Sequence, residues 1–181
     1  MLVRNPWVWV CRFRHRCGYG VHSPFAYAFV TEVLYSPGQY YAYGWLDKFH
    51  SAWVRRLHLR PLATSRLLFR LTNYWQPRTI VAPQVTPLEW NYLHEGCRQA
   101  LIDTDFSQSP VDMIYLTRSE ENVISHVHDK TMLVIGNLRE NLALWKEIVN
   151  DTRTRVTFDL YDVGIALFTP KLQKQNYIIN W

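Results

Sequence analysis

Thr131-Met132-Leu133-Val134-Ile135 is apolar at nearly every position, with no polar alternation. A strand of that kind must be covered on both faces, the condition met in parallel sheets flanked by helices. Val111-Asp112-Met113-Ile114-Tyr115-Leu116 and Thr79-Ile80-Val81-Ala82 read as further strands, and Ala100-Leu101-Ile102 as a short one. Helical stretches fall between them: Thr86 to about Arg98, Glu120–Val127, and one marked by Leu138, Leu142, Trp145 and Ile148. The chain then becomes all β, over Val156–Leu160, Val163–Phe168 and Tyr177–Trp181, with Tyr161-Asp162 as a tight hairpin turn. Strand–helix alternation closed by an antiparallel hairpin predicts an α/β fold with a mostly parallel sheet.

Residues 1–75 read as helical. Ser23 suits a helix cap with Pro24 at the first position, and Phe25, Phe29 and Val33 recur at four-residue spacing. Pro37-Gly38 stops that helix. A second runs near Trp45–Leu59, with Leu46, Phe49, Trp53 and Leu57 on one side and Lys48, Arg55 and Arg56 on the other. A third covers roughly Thr64–Trp75 and ends before Pro77. The expected organisation is a helical cap over residues 1–77 and an α/β core over 78–181, forming one compact unit.

Charge is uneven along the 181 residues. Residues 1–70 hold ten Lys/Arg against two acids, a net of +8, and residues 71–181 hold ten against thirteen, a net of −3. The basic half, with Tyr35, Tyr40, Tyr41, Tyr43, Trp45 and Trp53 near Arg55 and Arg56, fits helix packing and a protein interface; stacking of single-stranded nucleic acid is the other use of such a surface. Cys11, Cys17 and Cys97 form no Cys-x-x-Cys pair, so a reduced, cytoplasmic protein without a zinc site is expected. No uncharged apolar run approaches the ~18 residues of a membrane span. His126-Val127-His128-Asp129 sits at a helix end, where a spacing of two does not put both imidazoles on one side, so no metal site is expected.

The turn after Thr79–Ala82 conflicts with its surroundings. A nucleotide-binding α/β domain places glycines where its first strand ends, so that the backbone can approach a phosphate or ribose. Here Pro83-Gln84-Val85-Thr86-Pro87 follows, with two prolines and no glycine. Thr86-Pro87-Leu88-Glu89 has the pattern of a capping box, which starts a new helix at once.

Three stretches resemble small bacterial class I SAM-dependent methyltransferases of the O-methyltransferase type. Gly20-Val21-His22-Ser23-Pro24-Phe25-Ala26-Tyr27 resembles the signature opening that family's helical cap. Arg66 to Ile80 is similar to the helix and approach to strand 1. Val156–Phe168 with Asn176–Trp181 resembles the final hairpin and last strand. The resemblance implies a shortened Rossmann-like methyltransferase sheet with an N-terminal helical cap. Three ligand motifs are missing from it. Ala82-Pro83-Gln84-Val85-Thr86-Pro87 stands where the family has an acidic, glycine-rich loop for SAM. Leu116 is followed by Thr117-Arg118-Ser119 in place of Asp-Gly, and Ile135 by Gly136-Asn137-Leu138-Arg139 in place of acids. About thirty residues separate Val81 from Val111, room for one helix and one strand, so the family's third strand is expected to be absent.

The resemblance thus implies a catalytically degenerate module that binds or scaffolds, takes no cofactor, and meets a protein partner or a second copy through its aromatic cap. The alternative is a divergent SAM-dependent methyltransferase. It would place Ala82, Gln84, Asp103 and Asp105 at the cofactor, the two acids on the ribose, and His22 or Asn137 near the acceptor. By their local chemistry the same residues are expected to be structural: loop acids for Asp103 and Asp105, support of the Ser23 cap for His22, and an N-cap with Glu140 for Asn137. Arg118 and Arg139 are expected as solvent-facing charges, with an anion site as the other reading.

Overall fold

A computed structural model describes residues 21–57, 62–107 and 110–181, with the side chains of residues 52–57 left out. Expectations resting on Cys11, Cys17, Gly20 and the side chains of Trp53, Arg55, Arg56 and Leu57 lie outside the described residues. Seven strands among the described residues form one sheet in the order β2-β1-β3-β4-β6-β5-β7. They are β1 Thr79–Val81, β2 Leu101–Asp103, β3 Met113–Leu116, β4 Met132–Gly136, β5 Val156–Asp159, β6 Val163–Leu167 and β7 Gln175–Ile178. β1 pairs in parallel with β2 and β3, β3 with β4, and β5 with β7; β6 runs antiparallel to both β4 and β5. The sheet stops at β2, as the short segment between Val81 and Val111 requires.

Helix α1, Pro24–Ala28, passes directly into a π-helical turn, Phe29–Leu34. Helices α2 Tyr43–Leu57, α3 Leu62–Trp75 and α4 Pro87–Gly96 complete one face, and α5 Leu142–Asn150 lies on the other. Side-chain alternation on the strands divides the core accordingly. Met113, Tyr115, Met132, Val134, Phe158 and Ile165 join the cluster with Phe29, Leu46, Leu67, Leu71 and Tyr92. Ile114, Leu116, Leu133, Ile135 and Ala166 join Leu138, Trp145 and Ile148 on the α5 side. The continuous apolar run of β4 is therefore buried on both faces. The cap helices and the sheet share one apolar cluster.

Helices α3 and α4 pack tightly at Gly96, where an added Cβ would lie 2.6 Å from the Phe69 carbonyl oxygen and 2.8 Å from Thr72 Cβ. The π-turn carries the Tyr35 N–H to Val30 O at 2.9 Å, which leaves the last carbonyls without ordinary helical partners. Buried Arg70 supplies them, donating from Nε to Val33 O at 2.7 Å and from a terminal nitrogen to Leu34 O at 3.2 Å. The Trp181 indole N–H also reaches Leu34 O, at 2.7 Å.

Several boundaries differ from expectation for local reasons. The stretch Glu120–Val127 folds as a 3-10 turn only over Val123–His126, because Asn122 before it is left-handed at φ 58°. The last strand lies at Gln175–Ile178, two residues earlier than Tyr177–Trp181, because the Gln175 N–H pairs with Arg155 O and the Ile179 N–H with Asp159 O. Asn137 is also left-handed, at φ 52°, and makes no side-chain cap, so the N-cap reading of that residue is corrected.

Candidate functional site

In an open α/β sheet, ligands bind outside the carboxyl ends of the strands where the strand order reverses. That reversal lies between β1 and β3 in this sheet. The segment after β1 starts with Ala82, whose N–H donates to Asp103 O at 2.8 Å, so β1 and β2 end together. Pro83 and Gln84 form a tight turn in which the Val85 N–H donates to Ala82 O at 3.2 Å.

Gln84 then crosses the crevice. Its Oε1 accepts from the backbone N–H groups of Thr117 and Arg118, at 3.2 and 3.3 Å, just after β3. Its Nε2 donates to Glu120 Oε1. Two successive amides of the β3 loop are thus bound to a side chain of the β1 loop.

A second closure joins the β3 and β4 loops. Asn141, 4% exposed, donates from Nδ2 to Thr117 O at 3.1 Å, Asn137 O at 3.0 Å and Gly136 O at 3.3 Å. Its Oδ1 accepts from Ser119 Oγ at 3.0 Å. Gly164 of β6 lies nearby on the α5 side, where a Cβ would meet Trp145 Cζ3 at 2.8 Å and Leu138 Cδ1 at 2.9 Å.

The capping box expected at Thr86 is present and extends into the core. Thr86 Oγ1 accepts from the Glu89 N–H at 3.3 Å, while Glu89 Oε2 accepts from the Thr86 N–H at 3.0 Å and from its hydroxyl at 2.8 Å. Glu89 is buried, and its Oε1 accepts from the Tyr115 hydroxyl at 2.5 Å. A buried carboxylate needs such donors. Helix α4 is thereby fastened to β3 close behind the Gln84 turn. On α4's outer contact with α2, the Tyr92 hydroxyl donates to Asp47 Oδ1 at 3.1 Å, and Asp47 also pairs with Arg66. Burial, reinforced by the Asp47 charge, pushes the Tyr92 hydroxyl well above the usual phenol range.

The sequence-based candidates fall into three places. Ala82, Gln84 and Asp103 gather at the crevice, with Asn137 at its β4 side, where its carbonyl serves Asn141. Asp103 Oδ1 accepts the next residue's N–H, Thr104, at 2.7 Å. Asp105 is exposed and accepts the Ser107 N–H at 2.9 Å; these Ser107 hydrogen bonds hold its carboxyl below the usual carboxylate range. His22 is exposed at the far edge of the sheet, beside Ser23, which lies against Tyr177 of β7. Six strand spacings, roughly 29 Å, separate β2 from β7, so His22 does not share a site with the two acids.

Arg139 is engaged. Its Nε donates to Tyr161 O at 3.1 Å, its guanidinium stacks on the Tyr161 ring at 4.2 Å, and it lies 3.6 Å from Asp159 Oδ1. Arg118 is exposed. Among the described residues, no group of three or more His, Cys, Asp or Glu is placed to hold a metal ion, and no helix is long and apolar enough to cross a membrane.

A crystal structure of a methyltransferase from Geobacter sulfurreducens superposes on this chain with a TM-score of 0.53 at 12% sequence identity, over 80% of this chain and 96% of that one. This chain has a methyltransferase-like fold. No protein-family model matches it, and no curated protein does. The methyltransferase-like sheet thus carries, at its β1–β3 crevice, a side-chain bridge that sequence reasoning did not foresee. Gln84 was visible as a substitute for the expected glycine loop, but not as a crosslink. Asn141 carried no signal at all, since one polar residue ahead of a helix is ordinary.

Proposed function

We propose that this methyltransferase-like protein is a catalytically degenerate binding or scaffolding module. The observation that carries the proposal is the Gln84 bridge to the Thr117 and Arg118 amides, at the one place in such a sheet where a cofactor is expected. The absent glycines and strand-end acids agree with it. Binding would use the helical cap, where Tyr41 is 94% exposed and Trp45 41% exposed. Large aromatics at a surface are typical anchors of protein interfaces. The partner would be another protein or a second copy of this chain.

Calorimetry with S-adenosylhomocysteine is the deciding experiment. Absence of heat up to about millimolar ligand is expected, and a micromolar dissociation constant would overturn the proposal.

A divergent SAM-dependent methyltransferase is the second reading, favoured by the fold likeness to a methyltransferase. It requires Gln84 to leave the Thr117 and Arg118 amides when SAM arrives, and Asp103 or Asp105 to take the ribose. An Asp103→Ala variant that bound SAM as the wild type does would remove that ribose assignment.

A further inference from the structure

At the opposite, amino ends of the strands lies a groove of about 1040 Å³, lined in part by Trp75, Arg78, Asp112, His128 and Lys130. One wall is the turn that leads from His128 into β4. The Thr131 N–H donates to His128 O at 2.9 Å, and the His128 N–H to Thr131 Oγ1 at 2.9 Å. The Lys130 N–H donates to His128 Nδ1 at 3.2 Å. Trp75 Nε1 pins the same turn, donating to Lys130 O at 3.0 Å and to Asp112 O at 3.1 Å.

A side-chain acceptor bonded to the N–H two residues on has the connectivity of an Asx turn, where an Asn or Asp oxygen normally accepts. Here an imidazole nitrogen takes that place. Because Nδ1 accepts, the neutral ring carries its proton on Nε2. That nitrogen is buried without a hydrogen-bond partner among the described residues, and Asp112 Oδ1 stands 3.7 Å away.

We propose that His128 makes this turn a proton-sensitive latch on the groove. Protonation places a hydrogen on Nδ1, which then meets the Lys130 N–H donor to donor, and that bond of the turn is released while the Trp75 and Thr131 bonds remain. The imidazolium is drawn instead toward Asp112, whose Oδ2 already accepts the Arg78 N–H at 2.8 Å. The charged groups around His128 are Asp112 ahead of β3, Arg78 ahead of β1, and Asp129 and Lys130 in its own turn; Thr169 after β6 adds no charge. Histidine is the only one of these side-chain types that ordinarily changes charge between about pH 5 and pH 8.

The test follows the Lys130 amide by NMR hydrogen exchange in the full chain from about pH 8 to about pH 5, corrected for the intrinsic rate, together with the His128 ring carbons. In the wild type, protection of the Lys130 amide falls roughly tenfold, the equivalent of one hydrogen bond, with the midpoint of the ring. In His128→Asn the amide oxygen keeps the turn and does not titrate, so protection stays level. A wild-type Lys130 amide indifferent to His128 titration overturns the proposal, with no need of the variant. An equal acid loss in His128→Asn overturns it as well.

Discussion

Replacing Gln84 with alanine removes three hydrogen bonds at once and leaves their partners in unequal positions. The Arg118 amide belongs to an exposed residue and returns to water at little cost. The Glu120 carboxylate is half-buried and also regains water. The Thr117 amide lies in the half-buried part of the crevice, next to the carbonyl that Asn141 holds. A net hydrogen bond contributes about 0.5–1.5 kcal/mol, and water recovers part of this here. The variant should therefore lose about 1–2 kcal/mol, a fall in Tm of about 2–8 °C for a chain of this size. Calorimetric melting measures the loss, and hydrogen exchange localises it: the Thr117 and Arg118 amides should exchange faster while those of β4 do not. Gln84→Glu sharpens the test, since its carboxylate still accepts from both amides but faces Glu120; it should be worse than wild type at neutral pH and recover as the pH falls toward the carboxylate range. Unchanged Tm and unchanged exchange at residues 117 and 118 in Gln84→Ala would refute the bridge.

Four further outcomes follow from the same geometry. Asn141→Ala should cost about 1–3 kcal/mol, because it takes the donor from the buried Gly136 carbonyl and from the half-buried Thr117 carbonyl; urea unfolding measures it. Gly96→Ala should cost about 1–3 kcal/mol by forcing α3 from α4, read in the same way. The Arg153 hydrogen bond holds the Asp151 carboxyl below its usual range, so its stabilisation is present above the unfolded value and is lost as pH falls through the folded one. Arg153 is about half exposed while Asp151 is half-buried, so solvent screens the pair and Arg153→Ala should flatten the acid limb by less than about 1 kcal/mol in urea titrations. Sedimentation should show a concentration-dependent association that Tyr41→Ala with Trp45→Ala weakens; a wild type monomeric to about 100 μM would remove self-association from the proposal.

The sequence made the sheet's centre readable because its residues had few alternatives. The unbroken apolar run of β4 needs two covered faces, and β3 beside it alternates Met113 and Tyr115 toward one cluster with Ile114 and Leu116 toward the other. Thr86 and Glu89 were equally legible, since a capping box is a local bond between residues three apart. Ser23 with Pro24 was readable for the same reason. What escaped was decided by distant partners. The switch to a π-turn after Ala28 depends on Arg70 and Trp181 for its last carbonyls. The left-handed Asn137 depends on its place between β4 and Asn141. The Gln84 bridge joins residues more than thirty positions apart, so the sequence showed only that glycines were missing, not what closed the gap.

A closed Gln84 bridge should keep a cofactor out of the β1–β3 crevice. The direct measurement is an NMR titration of S-adenosylhomocysteine into the uniformly labelled protein, following the Thr117 and Arg118 amides. Resonances that stay fixed to about millimolar ligand are predicted, with Gln84 still in place. Saturable shifts of both amides at micromolar ligand would show Gln84 displaced by a bound cofactor, and would contradict the account.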